Sequence, residues 1–197
     1  MKKSELKKTI HTLAKKHGTP LFLISKNLLN EQVGRFHSLL PGITPFYAVK
    51  ANCHSQILRI LAGQGLGFDV ASIQEMKMVL DIGVAPDRII FANTVKRPEA
   101  LKFAKQNGIQ MMTFDSEYEL NKIARYAPGS RVLIRIKVPN VGSIVELSLK
   151  FGAEPADAIP FLIKAFIKSL ACSFSLSAVS WNMASICLYP SLRATDA

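Results

Sequence analysis

The sequence predicts an α/β fold, an incomplete (β/α)8 TIM-type barrel of about five to six β/α units. Three observations carry that reading. Short apolar runs alternate with amphipathic stretches of helical period, the links between them are short, and the unit repeats at roughly 20–25 residues. Five strands can be placed between Pro45 and Val138, with room for one more, against the eight of a closed barrel.

Residues 4–17 predict a helix with Leu6, Ile10, Leu13 and Ala14 on one stripe and Gly18 as its stop. Thr19 to Ser25 holds a short strand, Pro20 to Ile24, and residues 26–39 a second helix that Pro41-Gly42 breaks. The run Pro45-Phe46-Tyr47-Ala48-Val49 reads as a buried strand ending at Lys50. Residues 54–63 form a helix with Ile57, Leu58 and Leu61 inward. Gly63, Gly65 and Gly67 precede the next strand, Phe68 to Ala71, instead of joining a strand to a helix, so they are no dinucleotide fingerprint. Ser72 and Glu75 form a capping box, as do Ser116 and Glu119 before a helix to about Tyr126. Strands follow at 89–92, Ile109 to Phe114 and Arg131 to Val138, and Pro98 opens the helix at about 98–107.

The chain has 197 residues, 49% of them hydrophobic, enough for one globular core. Cys53, Cys172 and Cys187 lie far apart, which fits a reducing compartment and no metal cluster. No apolar signal core follows Lys2 and Lys3, so no secretion signal is read. The net charge of +11 is concentrated in residues 1–60, with ten Lys or Arg against Glu5 and Glu31. Its lysine pairs suit the wet face of an amphipathic helix, and no nucleic-acid motif or aromatic interleaving accompanies them.

Lysine 50 is the residue with the clearest chemical meaning. Barrels place their chemistry at the C-terminal ends of their strands. A lysine desolvated there loses its proton more easily and can attack a carbonyl to form a Schiff base. The plain alternative is a strand-end lysine reaching into solvent.

The stretch Pro45-Phe46-Tyr47-Ala48-Val49-Lys50-Ala51-Asn52 resembles the pyridoxal-phosphate lysine motif of the ornithine/diaminopimelate/arginine decarboxylase family, which has an alanine-racemase-like barrel. Gly67-Phe68-Asp69-Val70-Ala71-Ser72 with Glu75, Ala92-Asn93-Thr94-Val95-Lys96, and Leu147-Ser148-Leu149-Lys150-Phe151-Gly152 resemble it in the same order. The resemblance runs from about Thr19 to about Lys168, and its spacing is most similar to the ornithine decarboxylase branch. It implies pyridoxal 5'-phosphate as cofactor, an amino-acid substrate such as ornithine or a related basic amino acid, a cytoplasmic role in polyamine biosynthesis, and a homodimer for the full-length family. Lys50 is implied as the catalytic, cofactor-holding amine, with Asp69 and Arg135 also cofactor-binding. Glu75 matches a family acid, although helix capping suffices to explain it. Lys150 matches a lysine that reaches across the dimer interface. Asn93 and Lys96 read equally well as turn chemistry. In the family the strand at 19–25 joins a second, C-terminal β-domain, which is expected to be missing here.

Beyond about Ser169 the rhythm and the resemblance stop. Residues 169–190 carry no charge, and no glycine follows Gly152 and no histidine follows His54. The family's ring-stacking histidine and phosphate-binding glycine loop would lie in that part. The organisation read from this is a partial pyridoxal-phosphate-binding barrel over 1–168 and a non-family tail over 169–197, the product of a frameshift or truncation. A membrane helix and a buried core segment are the alternatives for the tail. For the whole chain the resemblance leaves three functions: a truncated decarboxylase with little or no activity, a non-catalytic homologue of the antizyme-inhibitor type, and a small cofactor carrier. No nucleic-acid, membrane or metal partner is expected.

Overall fold

The computed structural model describes residues 3–137 and 151–168, together with the backbone of two strands at 171–174 and 186–190. In chain order the elements are α1 (Lys3–His17), α2 (Lys26–Leu39), β1 (Ile43–Ala48), α3 (Ser55–Gly63), β2 (Gly67–Val70), α4 (Ile73–Asp81), β3 (Ile89–Phe91), α5 (Pro98–Gln106), β4 (Met111–Phe114), α6 (Glu117–Tyr126), β5 (Arg131–Ile134), α7 (Ala158–Ile167), β6 (Ala171–Phe174) and β7 (Ile186–Pro190). The sheet order is β6-β5-β4-β3-β2-β1-β7. Strands β1 to β6 pair in parallel, each with the next in sequence, with a helix between successive strands. Consecutive parallel strands joined by helical crossovers are the wall of a barrel. β7 runs antiparallel to β1, with Tyr47 opposite Ile186 and Ile43 opposite Pro190.

Local signals account for most boundaries. Ser25, Ser72 and Ser116 each accept an amide three residues on, from Leu28, Glu75 and Glu119, and so satisfy a donor that the helix leaves unpaired. His54 caps α3 through Nδ1, which accepts the Gln56 amide at 3.3 Å. Pro98 occupies the first turn of α5. Gly18 ends α1 at φ +82, a conformation that costs other residues more.

The pleat sorts the strand side chains into two faces. Phe68, Val70, Ile89, Phe91, Met112, Phe114, Val132 and Ile134 pack outward against Leu58, Met76, Leu101, Leu120, Ile123 and Leu162 of the helices. Each such side chain is worth roughly 1.5–3 kcal/mol of burial, so this layer dominates the stability. The inner face carries a smaller cluster of Phe46, Ile90 and Leu133, with Ala92 and Met111 against it. At the strand starts Arg88 donates from Nη2 to the carbonyls of Ala62 and Leu66, tying the end of α3 to the approach of β2.

Two expectations are corrected. No strand forms at Pro20 to Ile24. That stretch has no regular secondary structure and is unpaired in the sheet, and Phe22 is 83% exposed. A strand needs a neighbour for its backbone donors and acceptors, and none of the described strands runs alongside it. The fifth strand stops at Ile134 instead of Val138. Beyond it Ile136 makes an isolated bridge to Ala153 in place of continuing the ladder, and Val138 lies outside the described residues. The helix stripe of α1 is also less sheltered than its period suggests, since Leu6 and Ile10 are exposed. Among the described residues no helix is long and apolar enough to cross a membrane. Of the expected tail over 169–197, only the backbone of β6 and β7 falls within the described residues.

Candidate active site

Lys50 stands two residues past β1, inside a single 3-10 turn, Val49–Ala51, at the C-terminal end of the strand. The Tyr47 hydroxyl donates to the Asn52 carbonyl at 3.3 Å and closes this turn from below. Burial pushes the Tyr47 phenol upward in pKa, against the lowering effect of that hydrogen bond. Val49 is fully buried and anchors the turn, while Lys50 itself is exposed. The desolvation expected at Lys50 is therefore corrected: the residue lies in a turn beyond the buried strand and is open to solvent.

Asp69 lies in β2 opposite Ala48 of β1. It alternates with Phe68 and Val70, which fill the outer core, so it belongs to the inner face, where it is half-buried. Arg135 follows β5 on the same alternation from Ile134. Its amide donates to the Phe114 carbonyl, its carbonyl accepts the Ala153 amide, both at 2.8 Å, and its guanidinium lies 5.3 Å from the Phe151 ring centre. Among the described residues it has no carboxylate partner. Lys50, Asp69 and Arg135 thus lie at one end of the barrel wall, Asp69 and Arg135 on its inner face by strand alternation, with Arg135 three strands from Asp69.

Glu75 is elsewhere. Its Oε2 accepts the Ala71 amide while its own amide donates to Ser72, so its carboxylate is committed to the head of α4. Lys150 lies outside the described residues. Asn93 makes only local bonds with Val95, the turn chemistry expected of it. Lys96 departs from that expectation. It is 1% exposed, and its ammonium contacts Glu119 Oε1 at 3.2 Å and the Thr113 carbonyl. Burial, only partly opposed by Glu119, lowers its pKa to about 8. Nothing within the local sequence marks this lysine, since its partner lies 23 residues away on α6.

The C-terminal end of the strands offers an amine, an acid and an arginine for an aldehyde cofactor with anionic groups. The inner face also holds the Thr113 hydroxyl, buried and without a hydrogen-bond partner among the described residues. Those residues fit such a group. Among the described residues no cluster of three or more His, Cys, Asp or Glu could hold a metal ion.

The profile of the family described as "Pyridoxal-dependent decarboxylase, pyridoxal binding domain" matches residues 26–171, and the chain belongs to that family, whose cofactor is pyridoxal phosphate. Among curated relatives it is similar to antizyme inhibitor 2 of Xenopus laevis, 50% identical over 119 residues, covering 60% of this chain and 26% of that protein. It is 43% identical over 136 residues to the ornithine decarboxylase of Schizosaccharomyces pombe, covering 69% of this chain and 32% of that one. Among solved structures it resembles the arginine decarboxylase of Paramecium bursaria Chlorella virus, with a TM-score of 0.81 and 34% identity over 89% of this chain and 49% of that one. The chain spans between a quarter and a third of these curated relatives, and about half of the solved chain.

Proposed function

We propose that the chain is the cofactor-binding part of a decarboxylase acting on ornithine or a related basic amino acid, in cytoplasmic polyamine biosynthesis. The observation that supports this is the place of Lys50, on the turn at the C-terminal end of β1, at the same end of the strands as Asp69 and Arg135. When bound, pyridoxal phosphate supplies the electron sink into which an amino acid releases the bonding pair of its departing carboxylate. Lys50 Nζ would hold the cofactor at its aldehyde and would return a proton to the substrate. Asp69 sets the charge near the ring, and Arg135 pairs with an anionic oxygen.

By itself the 197-residue chain is expected to turn over little or no substrate, because no histidine follows His54 and no glycine follows Gly152 to stack the ring and cradle the phosphate. In this reading residues 1–168 are the partial barrel domain and 169–197 a non-family tail, of which β6 still pairs in parallel with β5. The whole protein works as a homodimer on a small-molecule substrate, without nucleic acid. Incubation with pyridoxal phosphate, borohydride reduction and peptide mapping tests the reading. Label is expected on Lys50 and lost in Lys50→Ala, and label confined to other lysines would remove the assignment.

The identity to antizyme inhibitor 2 favours a second reading, a regulatory homologue that acts by protein contact. Capture of antizyme by a chain that takes up no cofactor would select it.

A further inference from the structure

Lys96 and Glu119 are the buried charged pair among the described residues, and the proposed chemistry leaves both unused. Their contacts converge on one residue of the loop between β3 and α5. The Lys96 ammonium passes over the Phe91 ring, 5.5 Å from its centre, and donates to the Thr113 carbonyl of β4 and to Glu119 Oε1. The Lys96 amide donates to the same carboxylate oxygen at 3.2 Å. From the solvent side Lys122 Nζ reaches Glu119 Oε2 and the Lys96 carbonyl, both at 2.6 Å. Backbone donor, backbone acceptor and side chain of one loop residue are thus all tied to β4 and α6.

The tie continues toward the inner face. Asp115, two residues past Thr113, faces the Lys96 ammonium electrostatically and accepts the Gly152 amide at 3.0 Å. Gly152 is at φ +106, and a Cβ there would lie 2.8 Å from the Lys137 amide, so this turn admits only glycine. Ala153 bonds the Arg135 carbonyl and Phe114 bonds the Arg135 amide. We infer that Lys96 is a positioning residue for the mouth of the site: by clamping the C-terminal end of β4 it fixes Asp115, the Gly152 turn and through them the backbone that presents Arg135. The function proposed above enters only in naming what Arg135 meets. The clamp itself stands on geometry.

Amide hydrogen exchange on the full chain tests it, with Lys96→Met as the variant that keeps length and removes charge. Protection at Lys96, Gly152 and Ala153 should fall about tenfold or more, while Tyr47 and Phe68 stay within about twofold. Should Lys96→Met fail to fold, Lys122→Ala is expected to lower protection at the same three amides to a lesser degree. Unchanged protection there, or an even loss throughout the sheet, overturns the inference. The second readout is pyridoxal phosphate affinity in a double-mutant cycle with Arg135→Gln. A positioning role requires the double variant to bind no worse than Arg135→Gln alone, and independent, additive losses overturn it. If the unaltered chain takes up no cofactor, the functional reading fails, and the exchange pattern alone decides for or against the clamp.

Discussion

Gly67 lies directly beneath the ring of Phe46. The two are opposite each other in the β1–β2 register, and a Cβ on the glycine would stand 2.5 Å from a ring carbon. The backbone at Gly67 is ordinary strand, so the requirement for glycine is one of space. Gly67→Ala is expected to destabilise the protein by about 1–3 kcal/mol through overpacking. Phe46→Leu should recover part of that loss in the double variant, giving a non-additive cycle in urea midpoints. Simple additivity would show that the ring swings aside at no cost.

A second expectation concerns pH. Lys96 has a folded pKa lowered to about 8 from 10.5, chiefly by burial. Between those values the unfolded chain binds a proton that the folded chain has released, so this group makes stability rise as pH increases from about 8 to 10.5. Below about 8 the cost of the buried charge is fully felt. The difference in urea midpoint between the parent and Lys96→Met should shift in favour of the parent across that range. A constant difference would mean that Lys96 titrates as an exposed lysine does.

Glu75 and Ser72 separate a capping duty from a cofactor role. Ser72→Ala should cost about 1 kcal/mol, because it deprives the Glu75 amide of its acceptor. Glu75→Gln keeps a capping oxygen for Ala71 and should be close to neutral in both stability and cofactor uptake. Asp69→Asn, on the inner face, should weaken cofactor uptake with little effect on the melting temperature. A marked loss of cofactor uptake in Glu75→Gln would return that residue to the site.

The wall of the barrel was legible because its signals are local. Apolar runs, serine caps, Pro98 and the glycine stops each act within a few residues, and each boundary they predict falls within two or so residues of the observed one for β1 to β4. What depends on distant partners was not legible. The capping pair at Ser116 and Glu119 formed by half: Ser116 accepts the Glu119 amide, but the carboxylate turns away to Lys96 and Lys122. A buried lysine with a charge partner outbids an exposed backbone amide for that carboxylate. The segment Pro20 to Ile24 has strand composition, yet composition supplies no neighbouring edge. For the candidate site, the order of motifs pointed to Lys50 and Asp69, whereas no residue of the 3-10 turn announces that turn or the exposure of Lys50 in it.

The pairing of β7 has a consequence for β1. A strand running with β1 would deliver its outgoing chain to the end where Lys50 stands. β7 instead arrives at that end with Ile186 and departs at the opposite one with Pro190, beside Ile43. With β7 on one side and β2 on the other, β1 presents no open backbone edge along Phe46 and Tyr47, so the strand that carries the lysine turn offers no ladder for a second chain to join.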